Sequence, residues 1–245
     1  MSLPILYDYT GSICSQMARL ALIEKSVPFQ RRSVDIMETN EQFEPWYVAL
    51  NPKAVVPTLV MGDEIVCDTI RIVNRVQSLD GPDLSGDMST QGWLKDIMAP
   101  HYGVLLYRNR LDPDGTAPQI IARGLLLEKL LKQHPEMGDL LEGRIAGNRR
   151  FQSLLGNPDA IEEHVSSTKA LVLRMASAVR KQPFLAGTAY SLADCFATAA
   201  LARFTMHGLQ DWWIGTELED YYDRMRARPS FEAAEVMDRG TERDL

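Results

Sequence analysis

Gly11-Ser12-Ile13-Cys14-Ser15 closes a short apolar strand, Ile5-Leu6-Tyr7, and opens a helix, while Val55-Val56-Pro57-Thr58-Leu59 follows at the mouth of a later strand. Each stretch alone says little, and the two together point to a site that handles a thiol. A helix N-terminus carries unpaired N–H groups and about half a positive charge, so a hydroxyl or thiol set there can hold, or become, a thiolate. A Val-Pro bond at a strand mouth can take the cis form and turn a backbone N–H and C=O outward to grip an extended peptide.

Outward from this start, Met17, Leu20, Ala21 and Ile23 recur at helical spacing as far as Lys25, which makes the opening a βα unit. Phe29 to Ile36 alternates loosely as a second strand. Glu41 to Leu50 then offers Phe43, Trp46, Tyr47 and Leu50 to one face of a short helix that Asn51-Pro52 stops. Thr58-Leu59-Val60-Met61 and Glu64-Ile65-Val66-Cys67 flank Gly62-Asp63, a turn of hairpin length, so they are expected to pair antiparallel. Asp68 or Thr69 caps a helix through Val76. The order βαβα-ββα describes a small mixed sheet with helices on its faces, ending near Gly81-Pro82.

From Pro82 onward the composition shifts to Gly, Pro, Asp and Ser, which predicts a linker over 82–88 between a first domain, 1–81, and a second, 89–245. The second domain reads as all-helical, with helices expected over Thr90–Leu111, Ala117–His134, Asp159–Lys181, Leu192–His207 and Glu217–Arg228. Gly143 to Asn157 mixes glycine and arginine with little periodicity and receives no assignment. Tyr190-Ser191-Leu192-Ala193-Asp194 is a capping box, Ser191 capping the helix and Asp194 reaching back to the Ser191 N–H, so Asp194 is read as structural. Phe196, Ala199, Ala200 and Arg203 follow on a helix with enough small residues to be central.

The 245 residues are 45% hydrophobic and 24% charged, the mix of an ordinary globular protein. A formal net charge of -7 argues against nucleic acid or an anionic membrane as partner, since both reward a basic surface. Three cysteines far apart, Cys14, Cys67 and Cys195, are poor material for a disulfide framework and suggest a reducing cytoplasm. No signal peptide or membrane span is expected. His101, His134, His164 and His207 have no metal-ligand spacing, so no metal site is predicted. A Gly-rich phosphate loop and a Gly-x-Ser-x-Gly elbow are both missing from the sequence.

The pattern resembles the glutathione transferase family, whose architecture is a thioredoxin-like α/β domain followed by an all-α domain. Ser12-Ile13-Cys14-Ser15 with Arg19-Leu20-Ala21-Leu22 is similar to the zeta-class Ser-Ser-Cys-Ser motif. With Phe43-Glu44-Pro45 and Tyr47, and with Lys53-Ala54-Val55-Val56-Pro57-Thr58-Leu59, it looks more like the bacterial tetrachlorohydroquinone reductive dehalogenases. Two departures from the zeta pattern weaken an isomerase reading: Val55 stands where an amide is usual before Val-Pro, and Gln16-Met17 replace an aromatic and an Arg.

The resemblance implies glutathione as co-substrate and a role for each matching residue. Ser12 would donate its hydroxyl to the glutathione sulfur; lowering a thiol pKa from about 9 to about 7 takes about 2.7 kcal/mol, within reach of one charge-assisted hydrogen bond and a helix end. Cys14 would take the glutathionyl sulfur from a substituted ring as a mixed disulfide, although a helix-start cysteine without chemistry fits the same position. Val56 would pair its backbone with the cysteinyl part, with Pro57 cis. Asp68 would face the γ-glutamyl ammonium and Thr69 the carboxylate, unless both serve only as a cap. The resemblance sends Lys53 to the glycyl carboxylate, although a solvated surface lysine is the more common outcome at such a position.

A small aromatic substrate is expected near Ile13 and Tyr102, the latter on a helix shared with Trp93, Ile97, His101 and Leu105, where core packing is an equal reading. The resemblance also implies a dimer. Three functions stand side by side: glutathione-dependent reductive dehalogenation or deglutathionylation, glutathione-dependent β-aryl ether cleavage, and a non-catalytic binding protein on the same fold.

Overall fold

The computed structural model describes residues 2–238, in two compact units: 2–99 with 171–238, and Pro100–Ala170. The first unit opens with β1 (Ile5–Asp8), α1 (Ile13–Glu24), β2 (Gln30–Ser33), a 3-10 turn at Glu41–Phe43 and α2 (Pro45–Leu50). β3 (Thr58–Met61), β4 (Glu64–Cys67) and α3 (Thr69–Gln77) follow. The strands form one sheet in the order β2-β1-β3-β4, β1 parallel to β2 and antiparallel to β3, and β3 antiparallel to β4. This is the expected thioredoxin-like arrangement. Gly62 sits at φ 60 in the hairpin turn, a conformation that costs glycine little.

The register places Tyr7, Thr58 and Cys67 in one row across three strands. The chain leaving β1, the chain entering β3 and the chain leaving β4 therefore emerge at one end of the sheet. Packing fixes this sheet between two layers. Tyr7, Val34 and Val56 cluster with Tyr47 of α2, with Trp46 alongside. Leu6 and Leu59 alternate with Tyr7 and Thr58 along their strands, as period-two side chains must, and are fully buried. α1 packs on α3, and Met17, Leu20, Ile72, Val73 and Val76 are buried completely.

Two expected elements come out shorter. β2 stops at Ser33 because Asp35 folds the chain into a tight turn, its carboxylate accepting from the backbone N–H groups of Met37, Glu38 and Thr39. The helix expected over Glu41–Leu50 divides at Pro45, which has no N–H to donate and holds Glu44 extended at φ -69, ψ 141.

The remainder of the first unit is helical: α4 (Thr90–Met98), the end of α8 (Pro158–Val179), α9 (Leu192–Met206), α10 (Glu217–Arg226) and α11 (Pro229–Ala233). α11 carries no expectation from sequence; Pro229 at its first position starts it. Helix α9 is buried nearly all round from Leu192 to Phe204, its alanines letting α1 and α4 pack close. Asp194 accepts from the backbone N–H of Ser191 and of Leu185, each at 2.8 Å, from Ser191 Oγ at 2.9 Å and from Tyr221 OH at 2.7 Å. It is the structural anchor expected of it. The segment before α4 docks on the same spot: Leu192 N–H donates to Leu84 O, and a Cβ on Gly86, at φ +62, would lie 2.8 Å from the Ser191 Cβ.

The second unit holds α5 (Tyr102–Tyr107), α6 (Pro118–Gln133), α7 (Gly138–Leu155) and the start of α8. The helix expected over Thr90–Leu111 is two helices, because Pro100 cannot continue the N–H ladder. The unassigned Gly143–Asn157 is mostly α7. Its glycines and arginines mask a stripe whose Leu141, Ile145 and Leu155 are buried. Among the described residues no helix is long and apolar enough to cross a membrane.

Candidate active site

The loop from β1 into α1 is held by several side chains. Thr10 O accepts from Gln16 Nε2 and from Arg19 Nη2, each at 3.1 Å, and Gly11 O accepts from Arg203 Nη2 at 2.6 Å. Arg19 also pairs with Asp8 and donates from Nε to Ala234 O at 2.6 Å, so both members of this ion pair are fully buried yet bonded. Arg31 joins Asp8 at 3.2 Å and Glu235 at 2.7 Å. An elaborate polar support under a four-residue loop is costly to desolvate unless its geometry is needed.

That geometry presents the first turn of α1. Ser12 is the N-cap at φ -78, ψ 121, its Oγ accepting from Ser15 N–H at 3.3 Å, and no acidic residue sits in the first turn to offset the helix's positive end. The cap uses a lone pair, leaving the single hydroxyl proton to donate outward. Ser12, Ile13 and Cys14 are each partly exposed, whereas Ser15 to Leu22 are buried.

The register brings the other candidates to the same sheet end. Val56-Pro57 is a cis peptide directly before β3, and Val56 is buried. The loop ahead of it is tied down by Tyr47, whose hydroxyl donates to Val55 O at 2.6 Å, and by Asn51 Nδ2, which donates to Val55 O at 2.8 Å and Thr58 Oγ1 at 3.0 Å. Burial pushes the Tyr47 phenol up to about 12, so it stays a donor. Asp68 is exposed, caps α3 by accepting from Arg71 N–H at 3.2 Å, and sits at φ 82, a strained conformation for a residue with a side chain. Thr69 is buried, and its side chain favours ionisation of the Cys14 thiol. The starts of α1 and α3 thus meet at Cys14.

Cys14 is not a resting thiolate. Burial raises its pKa above the ordinary thiol value, and the Asp68 carboxylate pushes the same way; the Thr69 hydrogen bond and the Arg203 charge only partly offset them. The thiol is therefore protonated at neutral pH, on a residue that remains partly exposed.

Lys53 is exposed on the loop before Val56, its backbone N–H donating to Asn51 Oδ1 at 3.1 Å. Ile13 belongs to the first unit and Tyr102, half-buried at the start of α5, to the second. Within the second unit, His101 stacks on Phe151 with centroids 4.4 Å apart and donates its backbone N–H to His164 Nε2 at 3.0 Å. Among the described residues no cluster of His, Cys, Asp and Glu could hold a metal ion.

A model of the glutathione S-transferase N-terminal domain matches residues 11–79. The tetrachloro-p-hydroquinone reductive dehalogenase of Sphingobium chlorophenolicum is 32% identical over 237 residues, covering 95% of each chain. The chain belongs to the glutathione S-transferase family. It is an enzyme of that family, and glutathione is its co-substrate. The 2,5-dichlorohydroquinone reductive dechlorinase of Sphingobium indicum is 27% identical, covering 94% of this chain and 81% of its own. Among solved structures, the beta-etherase LigF of Sphingobium sp. strain SYK-6 superposes with a TM-score of 0.73 at 20% identity, covering 95% of this chain and 98% of its own, which speaks for the fold alone.

For a tripeptide with a carboxylate, an ammonium and a thiol, this end of the sheet offers matching chemistry: an exposed carboxylate at Asp68, the N-terminus of α3, and the hydroxyl of Ser12 at the N-terminus of α1. Arg203 and Arg19, which hold the loop ahead of Ser12, carry no such expectation from the sequence. Arg203 reads from sequence as part of a packed helix, and its partner Gly11 is 192 positions away, so no local pattern could reveal the contact.

Proposed function

We propose that this enzyme is a glutathione-dependent reductive dehalogenase of halogenated hydroquinones. The observation that carries the reading is the pairing of a capping hydroxyl, Ser12, with a partly exposed cysteine, Cys14, in one helical turn, in a chain whose full-length relatives bear dehalogenase names. In the first half-reaction, glutathione adds to the ring, chloride leaves, and one proton is released. Ser12 and the α1 N-terminus favour the ionised sulfur for this step. In the second, the Cys14 thiolate attacks the sulfur of the glutathionyl ring; the carbon–sulfur bond breaks, its electron pair takes a proton to leave the dechlorinated ring, and Cys14 is left disulfide-bonded to glutathione. A second glutathione frees Cys14 as glutathione disulfide. Overall, one ring gains hydrogen for chlorine and two glutathiones are oxidised.

Around this centre Val56 pairs with the cysteinyl backbone, Pro57 shapes that contact, Asp68 takes the ammonium, Thr69 the γ-glutamyl carboxylate and Lys53 the glycyl carboxylate. Residues 1–81 bind the tripeptide, Ile13 lines the aromatic substrate's place in the first domain, and 89–245 supply further aromatic-binding residues, Tyr102 among them. A dimer in the cytoplasm completes the proposal, in keeping with three free cysteines among the described residues.

The test is turnover of chlorohydroquinones with glutathione, reading chloride and glutathione disulfide together, with Ser12→Ala and Cys14→Ser in parallel. One disulfide per chloride is expected for the wild type, and accumulation of glutathionyl hydroquinone for Cys14→Ser. Turnover confined to β-aryl ethers and untouched by Cys14→Ser would overturn the reading.

A further inference from the structure

α9 sends one guanidinium across to the loop that begins the sulfur site. Arg203 Nη2 donates to Gly11 O at 2.6 Å, and Gly11 directly precedes the cap, Ser12. The two neighbouring groups of that loop are fixed by other means: Thr10 O by Gln16 and Arg19, and Ser12 N–H by Tyr9 O at 3.0 Å. Gly11 O is bonded instead by a side chain of α9, a helix that packs on α1.

We propose that Arg203 is a positioning residue for the thiol chemistry of Cys14: its guanidinium fixes the Gly11 carbonyl, and with it the turn that presents Ser12 and Cys14, and leaves a positive charge beside the sulfur. The idea rests on the reading of Cys14 as a reacting thiol. Besides burial, four groups act on that sulfur: Asp68 from the start of α3 opposes ionisation, while the Thr69 side chain, Arg203 and the backbone N–H of Cys14 itself favour it. Arg203 is the cation among the four, supplied by α9, which packs on α1. Its side chain is half-buried, so its field at the sulfur is less screened than that of a surface charge.

The experiment follows iodoacetamide alkylation of Cys14 across pH in the full chain, without glutathione or electrophile, by mass spectrometry of the Cys14 peptide. Arg203→Gln keeps a donor for Gly11 O and removes the charge; Arg203→Met removes both; Arg203→Lys keeps the charge. Either neutral variant that remains folded by circular dichroism is expected to alkylate about three- to tenfold more slowly at a fixed mildly alkaline pH, with the midpoint moved upward. Arg203→Lys is expected to stay within about twofold of wild type.

A neutral variant whose profile overlays the wild type overturns the proposal, as does a folded Arg203→Lys that slows as much as the neutral ones. If neither neutral variant folds, Arg203→Lys decides alone by the same twofold criterion. Chloride release is not part of this assay, so its failure leaves the dehalogenase reading standing, and failure of that reading leaves this result intact.

Discussion

Two helices in this protein begin with a serine cap and carry a cysteine close behind: α1, with Ser12 and Cys14, and α9, with Ser191 and Cys195. Their fates are opposite. At α9 the box is sealed, with Ser191, Asp194 and Cys195 fully buried, four donors converging on Asp194, and the Tyr190 hydroxyl 3.5 Å from the Cys195 sulfur. Burial raises the Cys195 thiol far beyond any working pH. At α1 the cap, Ile13 and Cys14 remain partly exposed, and the elaborate hydrogen bonding lies beneath the turn. A helix start becomes a structural anchor when its polar groups are satisfied by the protein. It becomes a reactive site when support comes from behind and the front is left for a ligand.

The comparison can be broken most directly at the two cysteines. Native alkylation is expected to label Cys14 at least about a thousandfold faster than Cys195, which should need unfolding costing about 5 kcal/mol or more; comparable peptide labelling rates would erase the distinction. Next in size, Cys14→Ser should stop glutathione disulfide formation from chlorohydroquinones while leaving the thermal midpoint in place, checked by product analysis and calorimetry. Asp194→Ala should cost about 3 kcal/mol by chemical denaturation, because it strands buried donors, and Asp194→Asn should cost less.

Ser12→Ala should lower turnover about 10- to 100-fold, one charge-assisted hydrogen bond, with about 1 kcal/mol of cap stability lost as well. That last pair of numbers sharpens the contrast: at Ser12 the loss falls mainly on chemistry, at Asp194 on folding.

The smallest effect concerns the second unit. Burial lowers the pKa of both His101 and His164. A histidine depressed in the folded state contributes stability above its unfolded value of about 6.5, and that contribution is lost as pH falls from there toward the folded value. Protonated His164 can no longer accept the His101 N–H. Hydrogen-exchange protection at the start of α5, corrected for the intrinsic pH dependence of exchange, should therefore fall below about pH 6.5, and in a His164→Gln variant, where only His101 still titrates, it should fall less.

Much of the fold was legible because its signals are local. Gly62-Asp63 set the hairpin, the apolar run Ile5-Leu6-Tyr7 set a strand, and Ser191 with Asp194 set the start of α9. The failures were also local in origin. Pro45 and Pro100 divide helices that apolar spacing alone runs together, and the glycines of α7 hide its stripe from any count of apolar positions.

The order of strands and helices, the cis-prone Val56-Pro57 and the residue types of the thiol site were written in neighbouring residues, since caps, turns and periodicity act over a few positions of chain. Which of these side chains meet was decided by the sheet register that aligns Tyr7, Thr58 and Cys67, and by α9 returning Arg203 to Gly11. The protonation of Cys14 was decided there too. It depends on burial and on the balance of Asp68 against Thr69 and Arg203, charges and dipoles that act through space and leave no trace along the sequence.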